Sequence, residues 1–280
     1  MKLIIHGGFF SESQTNHEVK KAKQEALKEI AELGYKYLQT HTALETVVYT
    51  VSLLEDCELF NAGTGSQIQS DGHIRMSAAL MDGKTCRFSG VINIEEVKNP
   101  VQVAEKLMSV DDRVLSAGEA LHFAREHGFD YYNPETPQRR QDYEKKLAES
   151  LRKGTVGCVA LDADRNLAAA TSTGGKGFEI PGRVSDSATV AGNYANSRAA
   201  ISVTGVGEDI VSGAVAAKIV TRVSDGMSLA AATQRTLDEL KPYDGFAGVI
   251  GITANGEVFY ADTHPYMVWA LHDGDVQVFE

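Results

Sequence analysis

Between Asp130 and Lys153 the apolar rhythm of the chain stops. This stretch carries Asn133-Pro134, Thr136-Pro137 and the polar run Gln138-Arg139-Arg140-Gln141, with almost no β-branched residue. Polar, proline-marked segments of this kind read as linkers, here with some helix toward the end. Strands and helices are expected in clusters on both sides of it, not in strict alternation. That order favours an α+β chain of two packed sheets covered by helices over a doubly wound parallel sheet.

Before the break, Lys2–His6 reads as a short buried strand ending in Gly7-Gly8. From Glu18 to Tyr37, apolar residues recur at Val19, Ala22, Ala26, Ile30, Leu33 and Tyr37. Steps of three and four mark an amphipathic helix. A more apolar helix is expected over 42–54, followed by a glycine-rich loop from Leu59 to Gly65. Strands are expected near 74–81 and 87–94, with Asp82-Gly83 turning between them. Helices follow at 100–108, with Pro100 at a first-turn position that needs no N–H, and at 118–127. After the break, Thr155–Leu161 and Leu167–Thr173 read as a hairpin joined by Asp162–Asn166. Strands at 188–194 and 199–204, helices at 207–223 and 228–240, and strands at 246–253, 257–262 and 267–272 complete the pattern.

A chain of 280 residues with 43% hydrophobic and 23% charged residues can bury a core without covalent staples. Its net charge of −11, with no block of like charge, argues against nucleic acid and anionic membrane as partners. The three cysteines, Cys57, Cys86 and Cys158, form no CxxC and read as free thiols of a reducing compartment. The opening apolar run is too short for a signal peptide, and none approaches the roughly 18 residues of a membrane helix. A cytoplasmic location is the expectation. The eight histidines show no metal spacing and read as structural or surface groups.

The chemistry concentrates after the break. A threonine hydroxyl is a poor nucleophile without an adjacent base, and the nearest base is its own α-amino group, freed only if the chain is cut before it. Gly154-Thr155 offers such a bond at a strand start. An α-amino group has a reference pKa of about 7.7–8.0, so modest burial leaves it neutral at pH 7. Gly154 tolerates strained dihedrals and leaves its carbonyl open to attack. The hairpin can bring Thr173 beside Thr155, since Thr171 and Thr173 share one strand face. Arg183 offers a fork for a carboxylate and Asp186 an acceptor for an ammonium, together suiting the α-groups of an amino acid. Thr204-Gly205-Val206-Gly207 ends a strand and opens a helix, a place for an oxyanion hole. Taken singly, a Gly-Thr dipeptide is most often a strand start, and an Arg and an Asp three apart most often a surface ion pair.

Taken in order, the segments 154–162, 167–175, 181–187 and 204–208 closely resemble the plant-type L-asparaginase / isoaspartyl peptidase family of N-terminal-nucleophile hydrolases. Leu54-Glu55, Leu59-Phe60-Asn61-Ala62-Gly63, Met81-Asp82-Gly83 and Ile5-His6-Gly7-Gly8 extend the resemblance over nearly the whole chain. It departs from the usual pattern at Phe9-Phe10, at Ser185 and at Val206.

The resemblance implies a four-layer αββα sandwich, with cleavage between Gly154 and Thr155 into an α subunit of residues 1–154, its last part the linker, and a β subunit of residues 155–280. It implies Thr155 as nucleophile and base, Thr173 as a second site threonine, and Thr204 and Gly205 as the oxyanion hole. Arg183 would hold the substrate carboxylate, Asp186 and Gly207 the amino group, and Asn61 would support the site from the α side. No cofactor is implied for catalysis. A structural sodium ion would sit on backbone carbonyls of Leu54, Glu55, Cys57, Phe60, Ala62 and Thr64. The implied substrates are β-aspartyl dipeptides and L-asparagine, and the implied assembly is a dimer of αβ units. A glycosylasparaginase-like hydrolase and an uncleaved, non-catalytic member are the alternatives.

Overall fold

The computed structural model describes residues 1–9, 17–146, 154–264 and 267–279. Residues 147–153 of the expected linker, and Phe10, lie outside these. Within the linker's described part, 130–146, helix α5 spans Pro137–Lys146.

Two sheets stack face to face. The larger joins eight strands in the order β12 (Val276–Val278), β11 (Met267–His272), β1 (Lys2–Phe9), β5 (Val156–Leu161), β6 (Leu167–Thr173), β2 (Met76–Asp82), β3 (Arg87–Ile94) and β4 (Val114–Ser116). The smaller runs β10 (Val258–Asp262), β9 (Ala247–Thr253), β8 (Ala199–Gly205) and β7 (Asn193–Ala195). Strands from before and after Gly154 interleave in the larger sheet. β1 pairs with β11 on one side and β5 on the other, and β6 pairs with β2.

Three apolar clusters mark three interfaces between four layers. The first packs α1 (His17–Leu38), α2 (Ala43–Asp56), α3 (Pro100–Leu107) and α4 (Ala117–Glu126) on the larger sheet through Leu27, Val47, Val51, Val103 and Ala120. The second, with Ile4, Val159, Ala169, Ala200 and Ile250, lies between the sheets. The third packs α7 (Val215–Ser224) and α8 (Leu229–Asp238) on the smaller sheet through Ile219, Val220, Ala232 and Leu237. This is the αββα sandwich. Period-two alternation divides the strands: Cys158 and Ala160 face the helices, while Val159 and Leu161 face the opposite sheet.

Local chemistry sets the element ends. Thr42 and Glu45 form a reciprocal capping box at the start of α2, an arrangement that contributes about 1 kcal/mol. Ser228 caps α8 by accepting the Ala231 N–H.

Two expected elements differ. The helix expected over 207–223 is two, α6 (Gly207–Gly213) and α7, broken at Ala214 with φ +48°. The apolar spacing runs through the break, but the Ala216 and Ala217 N–H groups donate to Ala191 and Val190 carbonyls, tying α7 to the loop before β7. The strand expected over 188–194 shrinks to Asn193–Ala195. Thr189 bonds the Asp186 carbonyl through its N–H at 2.8 Å and its hydroxyl at 2.7 Å, folding the chain into a 3₁₀ turn instead. The short edge strands β4 and β12 carry too little pattern to be read.

Candidate active site

The interior face of the hairpin ends at the rim of the sandwich, and there Thr155 meets Thr173. The Thr155 hydroxyl donates to Thr173 Oγ at 3.3 Å. Thr173 in turn donates to the Gly154 carbonyl oxygen at 3.1 Å and accepts the Gly175 N–H at 3.1 Å. A second donor reaches that carbonyl, Asn61 Nδ2 at 2.6 Å. Asn61 is fixed in turn, its Oδ1 accepting the Gln67 N–H at 2.9 Å and its Nδ2 also donating to Gly175 O at 2.5 Å. The carbonyl of the Gly154–Thr155 bond is therefore held by two side-chain donors.

Gly8 presses on the same bond from β1. It sits at φ +86°, and a Cβ there would lie 2.9 Å from both the backbone N and O of Thr155. Only glycine permits that approach.

One step below this rim lies a buried polar row. His6 Nε2 meets Ser202 Oγ at 3.0 Å, and Ser202 Oγ meets Thr171 Oγ at 2.7 Å. His6, Thr171 and Ser202 each sit two positions before Gly8, Thr173 and Thr204 on their strands. Burial drives the His6 ring down to about 3, against an opposing pull from the Thr155 backbone, so the imidazole is neutral. Gly157 completes the row, because a Cβ there would overlap both Ser202 Oγ and His6 Nε2.

A cleft of about 290 Å³ opens beside Thr155, lined also by Thr173, Lys176, Phe178, Arg183, Asp186 and Gly205 through Glu208. Asn61 and Thr204 are not among its lining residues; both are buried, Thr204 at the end of β8. Gly205 is at φ +144°, packed against Phe246 O. Ser185, one of the departures from the family pattern, accepts the Ser187 N–H and caps the turn that begins at Asp186. Burial raises the Asp186 carboxyl to about 7, opposed by the nearby Arg183 cation.

Glu208 and Lys176 escaped the reading from sequence. The Arg183 fork binds Glu208 side-on, Nε to Oε1 at 2.8 Å and Nη2 to Oε2 at 3.0 Å. Lys176 Nζ shares Oε1 at 3.3 Å. Hydrogen bonding from Arg183 holds the Glu208 carboxyl down at about 2, despite partial burial. Glu208 was visible as the acidic residue in the first turn of a helix, but nothing in its spacing pointed to Arg183.

The loop from Leu54 to Thr64 folds on itself. Thr64 N–H donates to Glu55 O at 2.7 Å, Cys57 N–H to Leu54 O at 3.3 Å and Phe60 N–H to Cys57 O at 3.1 Å. Each carbonyl oxygen keeps a second lone pair. Neutral carbonyl oxygens are the donor class that a hard cation such as sodium takes. Among the described residues no helix is long and apolar enough to cross a membrane.

A family model described as asparaginase matches residues 1–279. The chain belongs to the asparaginase family. It is 43% identical to an isoaspartyl peptidase/L-asparaginase of Synechocystis, over 98% of this chain and 88% of that protein. It is 38% identical to an isoaspartyl peptidase of Escherichia coli, over 91% of this chain and 88% of that one. With a plant-type L-asparaginase of Pyrococcus horikoshii it shares 37% identity, over 97% and 96% of the two chains. Family membership makes this chain an enzyme, an amidohydrolase of the isoaspartyl peptidase/asparaginase type.

Proposed function

We propose that this amidohydrolase cuts its own Gly154–Thr155 bond and then uses Thr155 to hydrolyse β-aspartyl dipeptides and L-asparagine, releasing L-aspartate. The observation that carries the reading is the Gly154 carbonyl, gripped by Asn61 and Thr173 while the Thr155 hydroxyl donates to Thr173.

In the first reaction Thr155 Oγ attacks the Gly154 carbonyl carbon. Negative charge collects on the Gly154 oxygen, where two donors already point, and fixed donors of this kind stabilise an oxyanion. The C–N bond breaks, the nitrogen takes the hydroxyl proton, and water hydrolyses the resulting ester. The products are a carboxylate on Gly154 and a free amine on Thr155.

In turnover that amine, in its neutral form, takes the Thr155 hydroxyl proton as Oγ attacks the substrate's side-chain carbonyl. The carbonyl oxygen becomes an oxyanion beside Thr204 and Gly205. The leaving amine takes the proton, and water then cleaves the β-aspartyl ester. Arg183 anchors the substrate α-carboxylate; Asp186 and the Gly207 carbonyl hold its ammonium. A sodium ion on the carbonyls of Leu54, Glu55, Cys57, Phe60, Ala62 and Thr64 would brace the loop that carries Asn61. Assembly into a dimer of αβ units belongs to the same reading.

Intact-mass measurement of the purified protein, paired with aspartate release from a β-aspartyl dipeptide, L-asparagine and a glycosylated asparagine, tests it. Fragments 1–154 and 155–280 with turnover of the first two substrates are expected, and Thr155→Ala should lose both cutting and turnover. A full-length species inert after long incubation refutes the reading. Preference for the glycosylated substrate would assign another leaving group.

A further inference from the structure

The Lys176 ammonium lines the cleft yet has no part in the chemistry so far. Its backbone is firmly placed. Lys176 N–H donates to Glu179 Oε1 at 3.2 Å, and Phe178 N–H to Ile68 O at 2.8 Å. Phe178 is held at φ +61°, its ring 5.7 Å from that of Tyr143 on α5. A non-glycine residue in that conformation is strained and persists only where its surroundings fix it. The lysine therefore projects from a rigid wall. One of its three N–H donors meets Glu208 at 3.3 Å, leaving others for a ligand.

Two cations, Arg183 and Lys176, line this cleft and share the Glu208 carboxylate, yet each keeps N–H donors that Glu208 does not fill. L-Asparagine brings one carboxylate, which Arg183 takes. A β-aspartyl dipeptide brings two, because its leaving residue ends in a free carboxylate. Arg183 Nε and Lys176 Nζ share one Glu208 oxygen, so they lie no more than about 6 Å apart, two hydrogen-bond lengths. The two carboxylate carbons of a β-aspartyl dipeptide are six bonds apart and span up to about 7 Å. The spacings match.

We infer that Lys176 is the leaving-group recognition residue, binding the C-terminal carboxylate of the residue expelled from a β-aspartyl dipeptide. This rests on the β-aspartyl reading above and narrows its substrate class to dipeptides with a free C-terminus. Lys176 acts on the part of the substrate that departs, so it selects among substrates without touching the carbonyl under attack.

The test compares kcat/KM for β-aspartyl-leucine and β-aspartyl-leucinamide, which differ only in the terminal charge, with L-asparagine as reference. A half-exposed, charge-assisted contact predicts a preference of roughly tenfold for the acid. In Lys176→Met the acid-to-amide ratio should fall toward 1, and Lys176→Arg should restore most of it. Intact mass showing the Gly154–Thr155 cut establishes that each variant has folded. Equal rates on acid and amide in the unmutated protein, or a preference that survives Lys176→Met, would overturn the assignment while leaving the β-aspartyl reading standing. Cut protein that turns over none of the three substrates would overturn both.

Discussion

Replacing Asn61 separates the first reaction from the second. In Asn61→Ala the Gly154 oxygen loses its 2.6 Å donor and keeps only Thr173, at 3.1 Å. Deleting one donor from an oxyanion typically slows a reaction about 10²–10³-fold, or about 2.7–4 kcal/mol. Cutting should slow by that factor. With the contacts of Asn61 to Gln67 N and Gly175 O lost as well, three bonds in all, stability should fall by about 3 kcal/mol at about 1 kcal/mol per bond. Asn61→Asp should cut more slowly still. A carboxylate oxygen in place of Nδ2 would face two carbonyl oxygens, and its charge would oppose the developing oxyanion. The assay follows the full-length fraction over time by intact mass, with thermal unfolding of each variant beside it. Folded Asn61→Ala cutting at the unmutated rate, or Asn61→Asp cutting faster than Asn61→Ala, would refute the role given to the amide.

Three further outcomes follow from the geometry. Gly8→Ala should block cutting in a protein that still folds, because the added carbon meets Thr155 backbone at 2.9 Å; cutting at the normal rate, read by intact mass, would show that β1 does not press on the bond. The kcat/KM for L-asparagine should rise with pH through about 7 as Asp186 ionises to receive the ammonium, and Asp186→Asn should remove that part of the rise, leaving only the limb of the Thr155 amine; a profile unchanged in shape in Asp186→Asn would count against it. The same raised pKa makes the protonated form the stabilising one, so its contribution is full below about pH 4 and is lost as pH rises through about 7. His6→Ala should cost about 3 kcal/mol in denaturant unfolding by leaving Ser202 without its ring partner over a void; a loss below 1 kcal/mol would mean the row carries no weight.

The meeting of Thr155 and Thr173 was legible because strand alternation is a local rule: residues of one hairpin with the right parity share a face. The Asn61 loop was legible from its glycines, since Gly63 at φ +53° lies directly over Glu55 O. The grip of Glu208 on Arg183 was not legible, because it depends on how the turn at Asp186 swings toward α6. That turn is made by side-chain bonds from Ser185 and Thr189, which compete with the strand that their neighbours' apolar character suggested. The break at Ala214 was hidden for a related reason: carbonyls of a distant loop, not the spacing of apolar residues, decide where α7 begins.

The interleaved strands give the proposed cut an asymmetric consequence. With β1 laced between β5 and β11, and β6 against β2, the two pieces stay joined by ladder hydrogen bonds, and cutting need not loosen the native enzyme. Unfolding is another matter. An intact chain that opens can refold by itself, at a rate independent of its concentration. A cut molecule that opens becomes two strangers, which must find each other in solution before any sheet can form. Recovery then slows with dilution, and exposed strand edges have longer to aggregate. The step that creates the catalyst also removes its way back, so the working lifetime of the mature enzyme is set by how rarely it opens and not by how readily it folds.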